Sequence, residues 1–119
     1  MRTMQAREGD FMKVLFTLMI ALGSLLLAGQ AVAVDAKAAE ALAQKNGCLA
    51  CHSIANKVVG PAYKDVAAKY KGDKGAEAKL IAKVKAGGSG VWGPIPMPAN
   101  SPQVKDDDIK TIVQWVLSL

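Results

Sequence analysis

The chain has 119 residues, with 15 Lys and Arg against 10 Asp and Glu for a net charge of +5, and it is 51% hydrophobic but only 5% aromatic. That length suits one small domain, and the lysines lie scattered, without interleaved aromatics or a nucleic-acid motif, which argues against a nucleic-acid partner. Two cysteines and one histidine leave few places for metal or redox chemistry.

The first element is a targeting signal. Val14 to Ala28, VLFTLMIALGSLLLA, carries no charge and follows Lys13; Gly29-Gln30 then leads to Ala31-Val32-Ala33, small residues where signal peptidase reads. The pattern predicts a secretory signal over residues 1–33, cleaved after Ala33, and hence a periplasmic protein with no stable membrane association after cleavage. Its apolar run of 15 residues falls short of the roughly 18 to 20 a spanning helix wants; an uncleaved anchor is the rival reading. The opening MRTMQAREGDF carries two acids, unlike the simple basic start of such signals, and Met12-Lys13 reads as the better start, which would leave residues 1–11 untranslated. Residues 34–119 form one 86-residue domain with 12 lysines, no arginine and 8 acids. A core this small is marginal without a disulfide, metal or other staple. The lysines read as a solvated surface or, more sharply, as a rim that steers an acidic partner.

Asp35 is placed to cap a helix through AKAAEALAQK, in which Ala39, Leu42 and Ala43 share a face, and Asn46-Gly47 marks its end. Cys48-Leu-Ala-Cys51-His52 follows directly. SIANKVVGP reads as loop, with Pro61 opening a short helix AYKDVAAKY whose Val66 and Tyr70 share a face. A third helix, Ala76 to Ala86, groups Leu80, Ile81 and Val84 and stops at Gly87-Gly88. No stretch reads as a strand. GGSGVWGPIPMPANSPQV, 18 residues with four glycines and four prolines, has no helical period; loops this long are usually functional or disordered, and prolines at 94, 96 and 98 fix an extended backbone, which favours order. The last helix, KDDDIKTIVQWVLSL, has Asp106, Asp107 and Asp108 in its first turn, favourable to the helix dipole, and a stripe of Ile109, Ile112, Val113, Val116 and Leu117 flanked by Trp115 and Leu119.

A CxxC pair fits thiol exchange, zinc binding or thioether bonds to a haem. Exchange expects the motif at the opening of a helix in a βαβ setting, whereas here it follows a helix. A closed zinc site needs four ligands; the motif supplies three, and residues 34–119 hold no other Cys or His. A histidine directly after the second cysteine is a signature of c-type haem attachment. His52 would then take one face of the iron. Met97 is the single methionine of residues 34–119; methionine is ordinarily a flexible core filler, but its place between Pro96 and Pro98 and the want of a second axial ligand favour coordination. A thioether favours reduced iron, and His/Met ligation raises the potential of electron-transfer haems. With both axial positions filled no open site is left for substrate, so the chain reads as a carrier and not as an enzyme.

CLACH, VGPAYKDVAAKY, GGSGVWGPIPMPAN and IVQWVLSL together resemble the small bacterial class I cytochromes c of the cytochrome c-551 type, across essentially all of Asp35 to Leu119. The resemblance implies an all-α class I cytochrome c fold, about four helices wrapped around one haem c bound covalently through Cys48 and Cys51, with His52 and Met97 as axial metal ligands. It implies that Pro61 offers its carbonyl to the non-ligating nitrogen of His52, which would fix the ring and raise its donor strength, and that Trp92 donates to a haem propionate, the plainer alternative being packing. Lys83 falls where a basic residue approaches a propionate, or is simply exposed; Asn100 either tunes the ligand sulfur or serves as a turn residue. Two departures stand out: some relatives carry phenylalanine at Ala43, which predicts looser packing of the first helix against the last, and Lys105 stands where many have a serine N-cap, with the three aspartates behind it compensating.

The function so implied is that of a monomeric periplasmic one-electron carrier, docking transiently at its haem edge on redox partner proteins: a nitrite reductase of the cytochrome cd type, a terminal oxidase or a peroxidase. The alternative is a haem-based ligand sensor or small peroxidase with a labile Met97.

Overall fold

The computed structural model describes residues 33–119; the expected signal, apart from Ala33, lies outside the described residues. The first helix, α1 (Ala36–Lys45), begins as expected: Asp35 Oδ1 accepts from the backbone N–H groups of Lys37 at 3.0 Å and Ala38 at 3.2 Å. It ends where Gly47 turns left-handed at φ 77° and donates to the Gln44 carbonyl, a conformation glycine adopts at little cost. The chain then enters a single 3-10 turn, Cys48–Ala50.

The second helix, α2 (Tyr63–Lys69), starts later than Pro61. Ala62, extended at φ −61° and ψ 142°, is its N-cap, and the Pro61 carbonyl stays outside the helical ladder, free for another donor. The third helix, α3 (Ala76–Ala86), follows a turn fixed by Asp73, whose Oδ1 accepts from the Gly75 N–H and whose Oδ2 pairs with Lys79 at 2.7 Å.

Strands appear where none was expected. Gly88–Gly90 (β1) and Gly93–Met97 (β2) pair antiparallel, Gly88 opposite Met97 and Gly90 opposite Gly93, with an irregularity between. The glycines at 88, 90 and 93 all take positive φ, so this ribbon is built from backbone freedom and proline stiffness, without the alternating β-branched pattern by which strands are recognised. Asn100 and Ser101 then donate backbone N–H bonds to the Val84 and Lys85 carbonyls, strapping the returning loop to the end of α3.

The last helix, α4 (Asp106–Leu117), is the hub, packing on α1, α2 and α3. One side meets Ala39, Ala43, Tyr63 and Val66 through Ile112, Trp115 and Val116; the other joins Val104 through Ile109 and Val113. Trp115 flanks the apolar stripe and is buried with it. It is only 2% exposed, because α1 and α2 cover the side of α4 that the stripe left out, while Leu119 stays exposed. Ala39 and Ala43 are both fully buried, so α1 meets α4 through small side chains with no exposed seam at Ala43. Lys105 occupies the N-cap of α4 without a side-chain cap bond, with the three aspartates in the first turn behind it, and Asp106 pairs with Lys85 at 2.8 Å. No helix among the described residues is long and apolar enough to cross a membrane.

Candidate haem site

The helices leave one large apolar cleft between two banks. One bank comprises the CLACH turn and the start of α2; the other comprises α3, the hairpin and the 97–100 loop; α4 forms the floor. Cys48, Cys51 and His52 open into it from the first bank, Trp92, Met97 and Asn100 from the second, and Val66, Val84, Ile109 and Val113 supply apolar wall. Contiguity in sequence places the first three; the proline-stiffened β2 places Met97.

His52 is held on three sides. Gly60 donates its N–H to the Cys51 carbonyl at 2.7 Å, folding loop 53–62 back under the motif. That turn brings the Pro61 carbonyl to 2.8 Å from His52 Nδ1. With the proton on Nδ1 donated to that carbonyl, the Nε2 lone pair is left to serve as a ligand. Tyr63 stacks on the imidazole with centroids 5.0 Å apart and 19° between planes, and in turn meets Trp115 edge-on at 5.6 Å. The ring thus rests on an aromatic ladder that reaches the core.

Cys48 and Cys51 are half-buried and not disulfide-bonded. Burial pushes the Cys48 thiol up, against the opposing pull of its own backbone and of the Tyr63 hydroxyl; burial also pushes the Tyr63 hydroxyl up, with the Cys48 sulfur beside it adding to the shift. The described residues hold no group of three or more His, Cys, Asp or Glu suited to a metal ion. Two thiols in one turn, an adjacent imidazole with a fixed tautomer, and an apolar slot suit a covalent tetrapyrrole, and closed tetrahedral zinc finds no fourth ligand here.

On the far bank, the Asn100 amide donates to the Val84 carbonyl at 3.1 Å and to the Pro98 carbonyl at 3.2 Å. Both of its hydrogens have backbone acceptors, so it fastens the Met97 loop to α3. Lys83 is half-buried along the cleft. Trp92 is 41% exposed at the hairpin turn, with Lys69 Nζ 5.5 Å from its ring centroid.

Two glycines do more than the sequence reading gave them: Gly60 was read as loop, and Gly87 only as the stop of the third helix, which it is. A Cβ on Gly60 would sit 2.5 Å from His52 Cε1 and 2.9 Å from Nδ1. A Cβ on Gly87, which has φ 68°, would collide with the Met97 carbonyl oxygen and lie 2.7 Å from the Ala99 nitrogen. Each lets backbone approach a would-be ligand segment, a need visible in sequence only as the glycine of VVGP and the first of GGSG. Tyr63 was likewise read only as part of a helix.

The cytochrome c family model matches residues 36–119. Cytochrome c-551 of Pseudomonas aeruginosa is 55% identical over 100 residues, covering 82% of this chain and 94% of that protein. Cytochrome c-551 of Allochromatium vinosum is 57% identical over 74% of this chain and 93% of its own length. Among solved structures, wild-type Nitrosomonas europaea cytochrome c552 superimposes with a TM-score of 0.64 at 52% identity, covering 67% of this chain and 98% of that one. With a cleft that fits the cofactor and relatives matched over nearly their whole length, the chain belongs to the cytochrome c family, as a small class I member of the c-551 type that carries one haem c bound through Cys48 and Cys51 and serves as an electron carrier, not an enzyme.

Proposed function

We propose that the mature chain, residues 34–119 after removal of a signal over 1–33, is a monomeric periplasmic shuttle whose haem iron is ligated by His52 and Met97. Bound haem supplies a ferric/ferrous couple, and the protein's part is to hold both axial donors still through the change. The observation that carries the reading is the 2.8 Å contact of His52 Nδ1 with the Pro61 carbonyl, which turns Nε2 into a fixed donor on one bank while Met97 lines the other. Met97 sits in β2 between two prolines, so few backbone torsions are free to carry its sulfur away. That stiffness disfavours the sensor or peroxidase reading, which needs Met97 to leave.

Lys83 and Trp92, placed along the cleft, are the groups that would meet haem carboxylates; Asn100 contributes by pinning the ligand loop. Val59, Val91 and Ile95, each exposed by about half or more beside the cleft, offer an apolar contact patch to a partner, with the lysine-rich surface steering an acidic one. Such docking buries less than roughly 1,200 Å² and separates fast. A respiratory reductase such as nitrite reductase, a terminal oxidase or a peroxidase would accept the electron.

The test is a redox titration of the mature protein followed by visible and near-infrared spectra. A ferric near-infrared charge-transfer band from methionine to iron, with a low-spin ferrous form that takes up carbon monoxide slowly, is the expected result. A ferric form without that band, or rapid carbon monoxide binding, would overturn the His52/Met97 assignment.

A further inference from the structure

Trp92 lines the cleft, and Lys69 comes up against its ring from α2. Lys69 is the last residue of α2, the helix whose Tyr63 supports the His52 ring. Trp92 lies in the turn of the hairpin whose second strand ends at Met97. The Lys69 Nζ stands 5.5 Å from the Trp92 ring centroid, within the roughly 6 Å over which a cation is drawn to an aromatic face. Lys69 is exposed and takes no part in the two ion pairs among the described residues, Lys79–Asp73 and Lys85–Asp106. The ring is therefore its one evident partner there. The hairpin, for its part, makes no extensive packing contact with any described helix; its main partner is its own other strand.

We propose that Lys69 is a positioning residue: its ammonium clasps the Trp92 ring and so ties the Met97-bearing hairpin to the bank that carries His52. The proposal rests on the reading of Met97 as an iron ligand. A hairpin secured to α3 near Met97, by the backbone straps and the Asn100 amide, can swing at its turn end, and a contact at that end shortens the swing. Because both partners are surface groups, removing the ammonium empties no core space, and the fold survives the test. Through the Trp92 ring Lys69 acts on how often Met97 departs, and it is not itself among the residues that line the cleft.

The experiment compares ferric holoprotein of the wild type with K69Q, K69R and K64Q. Lys64 is an exposed lysine of the same helix with no ring beneath it, so K64Q removes the same charge without touching the clasp. Two quantities are read: the affinity for added imidazole, which competes with Met97, and the amide hydrogen exchange of Ile95 and Met97. K69Q is expected to bind imidazole roughly two- to fivefold more tightly, the size of one exposed cation–π contact, and to exchange faster at both amides. K69R keeps a cation over the ring and stays near wild type; K64Q does too. Equal behaviour of K69Q and wild type, or the same change in K64Q, would overturn the clasp. The near-infrared band of the wild type separates the two assignments: without it the ligand reading fails, while the exchange rates still judge the clasp.

Discussion

At the scale of single residues, the site is a matter of what is allowed near His52 and Met97. Gly60→Ala places a methyl carbon 2.5 Å from His52 Cε1, against a ring already pinned by Tyr63 and the Pro61 carbonyl. We expect this variant to lose about 1–3 kcal/mol of stability, the usual cost of overpacking, and to show an altered potential because the imidazole turns off its carbonyl; urea unfolding and voltammetry check the two effects. Met97→Ala should keep the haem but open the sixth position and lower the reduction potential, since a thioether favours ferrous iron. An unchanged potential in a redox titration would exclude Met97 as ligand. CLACH was legible because its three reactive groups are consecutive and their spacing is itself the chemical requirement. The close approaches at Gly60 and Gly87 were not, since a glycine's need for them depends on what the fold brings against it. Asn100 was legible as a polar residue near the ligand loop, yet its acceptors, Val84 and Pro98, could be named only once α3 and the loop were side by side.

At the scale of elements, the helices were read almost to the residue where local chemistry sets the boundary. Asp35 and Gly47 act within their own turn, so their roles are written in the local sequence. The depth to which Trp115 is buried was not legible, because a helical stripe records one buried face, while α4 is covered on two. The hairpin was missed for the opposite reason: GSG and GPIPM lack a strand's own signature, and pairing alone makes them strands. Three helices start without a side-chain cap bond, at Ala62, Gly75 and Lys105, and at α4 Lys105 also sets a positive charge against the dipole. Lys105→Ser would supply an acceptor to the free N–H groups of the first turn. A gain of about 0.5–2 kcal/mol is expected, read as a higher urea midpoint at unchanged slope.

At the scale of the whole molecule, the helices converge on α4 from several sides, yet the cleft takes in much of the apolar surface they present. Leu80 and Val84 are only half-buried by protein alone, and α3 fully buries just Ala76. The cofactor is thus a structural part of the core as well as its redox centre. Replacing both Cys48 and Cys51 by Ala removes the tether; withdrawing the remaining cover from two such half-buried side chains costs about 1.5–3 kcal/mol. For a domain of this size the midpoint should fall by roughly 6–20 °C, with loss of near-ultraviolet dichroism, as thermal scans would record. The same small core explains why the need for a staple was inferable from length: 86 residues make a marginal core, and the motif supplied the staple. The proline spacing of β2 has a last consequence, for solubility. N–H groups along a strand alternate sides, and Gly93 and Met97 are the residues paired with β1, so positions 94 and 96 present the outward edge. Both are proline and donate nothing. The β2 edge offers a foreign strand carbonyls but no N–H groups at these positions, so the hairpin can carry Val91 and Ile95 in the open with a poor template for edge-to-edge pairing along β2.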